Sequence, residues 1–406
     1  MNAVSSADLR VLVASRLLRM FAYGMLGVVL VLFLVRVGLD GGRIGLLLTL
    51  TLLGDVAISL WLTAHADRWG RRKTLGVGAA LMVLGGAGMA VSENFLVLVI
   101  AATIGVISPT GGEVGPFQSV EQACLAQEVA DRDRTRLFAW YNLAGYLASA
   151  LGALAVGWFL GGSHFDGVAA YRIVFWAYAA CGAVLGVLAL RLSAAVEAPA
   201  SGGAMVAGPT LLGLHESRGL VLRLSALFAL DSFGGGFVLQ SFLAWWLQQK
   251  FGADEAVLGA VFFGTNLLSG ISGLAAVPLA KKFGLVNTMV WTHLPSNVLL
   301  MLVPLMPTLP LAVAFLLARH LLSQMDVPTR QSYVNAVVSP SERAAANGAT
   351  STAKLLGTAI GPVIAGKLFG AAAMTGLPFF ICGVLKSSYD LMLWRAFRKT
   401  KPPEER

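Results

Sequence analysis

The chain is expected to be an all-α membrane protein of 12 transmembrane helices, arranged as two pseudo-symmetric six-helix bundles. Three observations predict this class. Of its 406 residues, 57% are hydrophobic and only 13% are charged, against roughly a quarter charged in soluble domains. Apolar runs long enough to cross about 30 Å of hydrocarbon recur from end to end. The sequence also holds 46 glycines without a collagen-like period, as expected where helices approach closely in lipid.

The spanning segments of the first half fall near 11–35, 43–65, 74–92, 95–125, 136–160 and 170–192. Those of the second half fall near 219–248, 254–279, 286–306, 310–336, 347–369 and 377–395. The first follows a short N-terminal stretch without a small-residue cleavage site, so it reads as a retained span and not a signal peptide. The fourth contains Ile107-Ser108-Pro109-Thr110-Gly111-Gly112-Glu113-Val114-Gly115-Pro116. Prolines and glycines at that density interrupt a helix near mid-depth, and broken backbone survives there only against protein or a water-filled cavity. Pro328 is expected to kink the tenth span.

Residues 193–218 are small, aperiodic and Pro/Gly-bearing, which marks a cytoplasmic linker between bundles at 1–192 and 219–406. At an offset of 214 the halves superimpose in part: Gly38 falls on Gly252, Asp40 on Asp254, Gly45 on Gly259 and Gly70 on Gly284. At an offset of 209, Arg134 falls on Arg343, Gly152 on Gly361 and Gly157 on Gly366. The collinear order of these matches supports duplication.

Charge placement sets the expected topology. The net charge is +9, but the basic residues gather on alternate connections. One side takes Arg10, Arg68, Arg71, Arg72, Lys73, Arg132, Arg134, Arg136, Arg191, Arg218 and Arg223. Lys281, Lys282, Arg343, Arg395, Arg398, Lys399, Lys401 and Arg406 fall on that side too. The other side holds only Arg36, Arg43, Arg172, Lys250 and Lys367. The positive-inside rule then places both termini in the cytoplasm of a multi-pass plasma (inner) membrane protein and makes nucleic acid an unneeded explanation. Cys124, Cys181 and Cys382 lie in separate apolar segments and read as small buried residues, so neither a metal nor a cofactor is expected. No HExxH pair, Gly-x-Ser-x-Gly elbow or phosphate loop occurs, which argues against a multi-pass enzyme and against ATP-driven pumping.

Ionisable groups inside the spans cost at least ~2.5–3.5 kcal/mol each on insertion scales, so each asks for a reason. The first span carries Arg16 and Arg19 on one helical face with Tyr23 one turn deeper, and the fourth carries Glu113 and Glu121. The seventh carries Asp231 and Gln240, the tenth Arg319, His320, Gln324, Asp326 and Arg330, and the eleventh Lys354. Pairing of Arg16 or Arg19 with Glu121, and of Asp326 with Arg330 or Lys354, is the structural explanation; His320 reads as a packing residue. Glu113 and Asp231 show no basic neighbour at their own depth, which makes them the expected proton-coupling groups. Trp245, Trp246 and Trp158 read as interfacial anchors, and Phe21, Tyr23, Trp140, Tyr141, Phe233 and Phe237 as candidate pocket lining.

Between the second and third spans stands Ala66-Asp67-Arg68-Trp69-Gly70-Arg71-Arg72-Lys73. With about twelve helices and a central linker, this resembles the major facilitator superfamily: Asp67, Arg68, Gly70, Arg71 and Arg72 match its signature loop, while Thr63 stands where a glycine is usual. Lys281-Lys282-Phe283-Gly284 looks like a degenerate second copy. The resemblance implies that this loop gates the cytoplasmic side, its acid lying against the start of the eleventh helix. It also implies an arginine paired with an acid below the fourth helix, for which Glu128 and Asp131 are the candidates. The first, fourth, seventh and tenth helices would line the cavity. Drug/proton antiporters of this family usually have an arginine in the fourth helix and a Gly-x-x-x-Gly-Pro element in the fifth; here that element, Gly357 to Pro362, sits in the eleventh. The function implied is alternating-access secondary transport, expected to be proton-coupled and to export a small organic or drug-like compound. A carrier of a small anion, metabolite or metalloid is the alternative, using Arg16, Arg19 and Arg319. The expected partners are a small-molecule substrate, protons and the lipid bilayer, and the expected state is a monomer.

Overall fold

A computed structural model describes residues 6–126, 131–162, 167–197, 214, 217–339, 342–398 and 400. Glu128, most of the 193–218 linker and the side chains of Asp67 and of residues 131–139 lie outside the described residues. The first half contains α1 (Ser6–Arg36), α2 (Gly41–Trp69), α3 (Arg71–Val91), α4 (Phe95–Ile104), α5 (Phe117–Ala126), α6 (Asp131–Gly161) and α7 (Val168–Arg191). The second contains α8 (Arg218–Gly235), α9 (Gln240–Phe251), α10 (Glu255–Phe283), α11 (Leu285–Leu302) and α12 (Leu309–Ser323). It ends with α13 (Asp326–Val337), α14 (Arg343–Gly370) and α15 (Leu377–Phe397). No strand occurs among the described residues.

These helices fall on the twelve predicted spans, with the fourth (α4–α5), seventh (α8–α9) and tenth (α12–α13) each divided in two. The break in the fourth runs from residue 105 to 116, where the prolines and glycines predicted it. The break in the seventh was not expected; Gly234-Gly235-Gly236 runs into it and supplies the low helix propensity that could have announced it. In the tenth the interruption lies at Gln324 and Met325, a turn before Pro328. Proline lacks an N–H and its ring collides with the carbonyl four residues earlier, so the helix fails at Gln324 and restarts with Pro328 in its first turn.

Among the described residues, eight helical segments are long and apolar enough to cross a membrane on their own, α8–α9 counting as one. The divided fourth and tenth spans consist of pieces shorter than a full crossing. Trp158 is 81% exposed, as a lipid-facing anchor requires. Trp245 and Trp246 are buried instead, so the anchoring expected of them is corrected: α9 turns both rings into protein.

The chain divides into two compact units, one of Met1–Gly202 with Leu239–Asn266, the other of Gly203–Val238 with Leu267–Arg406. In the first, α1 packs on α6 and α3 on α7; in the second, α8 packs on α14 and α11 on α15. These are corresponding pairs of spans. The repeat reaches the backbone as well: Gly38 and Gly252 have φ +90° and +65°, and Gly70 and Gly284 have φ +103° and +84°. A residue with a Cβ is strained at such angles, so the turns before and after the second span of each half require glycine. Asp40 accepts a hydrogen bond from the Arg43 N–H at 3.0 Å and Asp254 one from the Val257 N–H at 2.8 Å, capping α2 and α10 alike. Gly152 lies against the Phe21 backbone and Gly361 against Gly236, where a methyl group would have no room.

Candidate functional site

The gap between α4 and α5 exposes backbone groups that a membrane cannot solvate, and side chains from neighbouring helices bind them. Tyr178 donates to the Val106 carbonyl at 2.8 Å, Ser149 to Gly111 at 2.8 Å and Tyr23 to Val114 at 3.2 Å. The Gly115 N–H donates to Asp55 Oδ1 at 2.7 Å. This web fixes Glu113 within the break. Its carboxylate bridges two arginines of α1, with Arg16 Nη1 and Arg19 Nε each at 2.7 Å. Arg19 also clasps Glu121 of α5 through Nη1 and Nη2 at 2.7 and 2.8 Å. Tyr141 donates its hydroxyl to the same Glu121. Arg16 is held further by the Tyr141 carbonyl at 2.9 Å and Asn142 Oδ1 at 3.3 Å. Arg19 and Glu121 are wholly buried, so bidentate pairing is what permits their charges in an apolar interior.

The predicted Arg19–Glu121 pair is therefore present, whereas the expectation that Glu113 lacks a basic neighbour is overturned. Arg16 and Arg19 approach from α1, 97 and 94 residues away in sequence, because the break lets the backbone carry Glu113 toward them.

The second unit builds a different network. Asp231 of α8 receives Lys386 Nζ of α15 at 2.8 Å and Arg330 Nη2 of α13 at 3.3 Å. Asp231 thus also has basic neighbours, correcting the second half of that expectation. Asp326 pairs with Arg330 one turn along α13, as predicted. Arg330 lies over Phe228 and Tyr389, yet its Nε and Nη1 are buried without a hydrogen-bond partner. Lys354 of α14 lies within electrostatic reach of Arg330, Asp231 and Lys386, and Arg319 of α12 within reach of Asp231. Among the described residues neither Arg319 nor Lys354 forms an ion pair; Arg319 Nη1 donates to His320 Nε2 at 3.3 Å and its Nε is unpartnered. His320 donates Nδ1–H to the Leu316 carbonyl at 2.7 Å, the packing role expected of it. Arg319, Arg330, Lys354 and Lys386 thus lie within reach of Asp231, and Asp326 pairs with Arg330. Asp390, the third carboxylate of this region, is held by His293 and Asn297, so among the described residues four basic side chains stand with three carboxylates.

The remaining predicted residues are dispersed. Gln240 belongs to the first unit, where Asn266 Nδ2 donates to its Oε1 at 3.4 Å and its Nε2 is unpartnered beside Gly27 and Gly111. Gln324 donates its backbone N–H to Ser272 Oγ at 3.2 Å in the second unit. In the signature loop, Gly70 alone joins α2 to α3. Glu197, just after α7, accepts from the Arg71 N–H at 2.5 Å and the Arg72 N–H at 3.4 Å, occupying the α3 N-terminus. Arg72 Nη2 donates to the Leu190 carbonyl at 3.2 Å, while Arg68 is exposed. Sequence reasoning missed Asp55, Glu197, Lys386 and the buried Asp390–His293–Asn297 cluster. Their signal was a polar residue within an apolar run, which Asp55 and Lys386 display.

Polytopic helices, divided spans and buried ionic networks are features of a membrane transporter, and the family match places the chain among secondary transporters rather than enzymes. The family profile of the Major Facilitator Superfamily matches residues 12–230 and 224–406, and the chain belongs to that superfamily. It is 32% identical to an uncharacterized membrane protein, YJR124C, of Saccharomyces cerevisiae, over 96% of this chain and 94% of that one. The fold is similar to a point mutant of the nucleoside transporter NupG, with TM-score 0.75 and 16% identity over 97% of this chain and 99% of that one. It is equally similar to a D-xylose–proton symporter, with TM-score 0.75 and 14% identity over 98% and 99%. A bacterial homologue of the human lysosomal transporter Spinster, inward-facing and unoccupied, gives TM-score 0.74 and 15% identity over 98% of each chain.

Proposed function

We propose that the protein carries a small organic anion across the membrane by alternating access, coupled to protons, with Arg319 and Lys354 meeting the negative charge of the cargo. The observation behind this reading is the surplus of positive charge in the second unit. Uncompensated cations inside a membrane protein are costly unless water or a counter-ion attends them, and a carboxylate or phosphate on the cargo supplies that counter-charge. A lipophilic cation of the kind exported as a drug would find the acids predicted to line the cavity already paired. Glu113, Glu121, Asp231 and Asp326 each hold a guanidinium or ammonium group.

The test is transport into proteoliposomes under an imposed pH gradient, with radiolabelled carboxylates and phosphate esters set against hydrophobic cations. An anion should accumulate, and Arg319→Gln or Lys354→Gln should each lower its uptake on the order of tenfold to a hundredfold, the value of a charge-assisted contact. Uptake of hydrophobic cations alone, unchanged in both variants, would overturn the reading.

A further inference from the structure

Asp55 stands apart from Glu113 and Glu121, the acids of the broken fourth span. Glu113 and Glu121 are matched by arginines. Asp55 lies at the midpoint of α2, fourteen residues from either end, which is about 21 Å of helix in both directions. It is 6% exposed. Among the described residues two donors reach it, both neutral: the Gly115 N–H at 2.7 Å and the Ser59 hydroxyl at 3.2 Å. Among the described residues it has no cationic partner. The titratable groups that face it are Glu113 from the break, itself bound to Arg16 and Arg19, Tyr23 from α1 and Tyr178 from α7. The packed parts of α3 and α4 bring no charged side chain, since the charges of α3 stop at Lys73 and α4 has none.

We propose that Asp55 is the proton-binding site of this transporter, and that the broken fourth span reads its proton occupancy through the Gly115 N–H. This rests on the proton-coupled reading above. An ionised Asp55 is a lone negative charge in the apolar interior, and binding a proton removes that charge without leaving a cation stranded. Taking a proton at Glu113 or Glu121 would strand the buried arginines. The bond from Gly115 is strongest to the carboxylate and weakens when the carboxyl is neutral. Gly115 sits at φ +82° two residues from Glu113, so a change at this bond passes directly into the segment that carries the bridge to Arg16 and Arg19. Asp55 thus links proton binding to the position of Glu113 without titrating the ionic network itself.

The decisive measurement needs no substrate. Infrared difference spectra of the full chain in phosphatidylcholine liposomes are recorded while the medium is titrated from about pH 9 to about pH 5. A protonated-carboxyl band should grow in the wild type, vanish in Asp55→Asn and move in frequency in Asp55→Glu. The amide of Asp55→Asn still accepts from Gly115, so a purely structural Asp55 would leave the band in place. Ser59→Ala, which removes one donor from the ionised form, should let the band persist to higher pH by up to about one unit. A wild type without such a band, or a band that survives Asp55→Asn, overturns the assignment. Transport of the anions in the panel separates the two readings. If the pH gradient drives the wild type and Asp55→Asn equally, Asp55 is not the site although coupling stands. If the gradient has no effect on wild-type transport but the band behaves as expected, proton coupling fails while Asp55 remains a proton-binding group.

Discussion

The two units solve one problem, buried charge in a membrane, in opposite ways. In the first, Arg16 and Arg19 meet Glu113 and Glu121 one for one, and all three nitrogens of each guanidinium are used. In the second, Arg330 shares one nitrogen between Asp231 and Asp326 and its other two are idle, while among the described residues Arg319 and Lys354 have no acid of their own. A closed, balanced network resists change and fits a brace for the broken fourth span. An open, cation-rich one has binding capacity left. The two halves of a duplicated fold thus carry differently balanced charge networks, and on the proposed reading it is the second that meets the cargo.

The contrast between the units collapses if the brace can be removed at no cost. Arg19→Leu leaves the wholly buried Glu121 without its bidentate partner, a loss of about 3–5 kcal/mol. The expected result is a sharp fall in folded yield and in the thermal midpoint of the detergent-purified protein. In the second unit, Lys354→Gln and Arg319→Gln remove charges that hold no acid. Their thermal midpoints should stay at the wild-type value, and only anion uptake should suffer. A destabilised Lys354→Gln would mean the cations are structural after all.

A smaller effect tests the shared backbone. Gly152→Ala and Gly361→Ala each force a methyl against the backbone of the neighbouring helix, an overpacking cost of about 1–3 kcal/mol. Both should lower the midpoint by similar amounts, because the glycines occupy corresponding places. The smallest change is expected at the partly exposed pair of Arg36 and Glu255, 3.1 Å apart, where Tyr171 also donates to Glu255 at 2.6 Å. Arg36→Gln should cost no more than about 1 kcal/mol, detectable as a small shift that high salt abolishes.

Much of this architecture was legible in the sequence, for physical reasons. Apolar runs located the spans because their length is dictated by the bilayer, and eight of them are long and apolar enough to cross by that measure alone. The prolines and glycines of 107–116 announced the broken fourth helix, since helix failure is a local event. Asp326 and Arg330 were legible as a pair one turn apart. Partners distant in the chain were not. Lys386 reaches Asp231 across 155 residues, and Arg16 reaches Glu113 across 97; only the packing of helices brings them together. The same limit made Glu113 and Asp231 look isolated, and it hid Asp55, whose meaning lies in what does not surround it. The gating partner expected at Glu128 or Asp131 lies outside the described residues and side chains, whereas Glu197, which does hold the loop, was never considered.

The paired turns at Gly38 and Gly252, and at Gly70 and Gly284, have an implication for how such a protein changes over time. Their backbone angles favour glycine whatever the cargo, so the two halves are tethered to one scaffold. The side chains on that scaffold are under no such restraint. On the proposed reading, a few substitutions among Arg319, Lys354 and their neighbours would redirect the carrier to a new class of solute, with its turns, breaks and helix contacts left as they are.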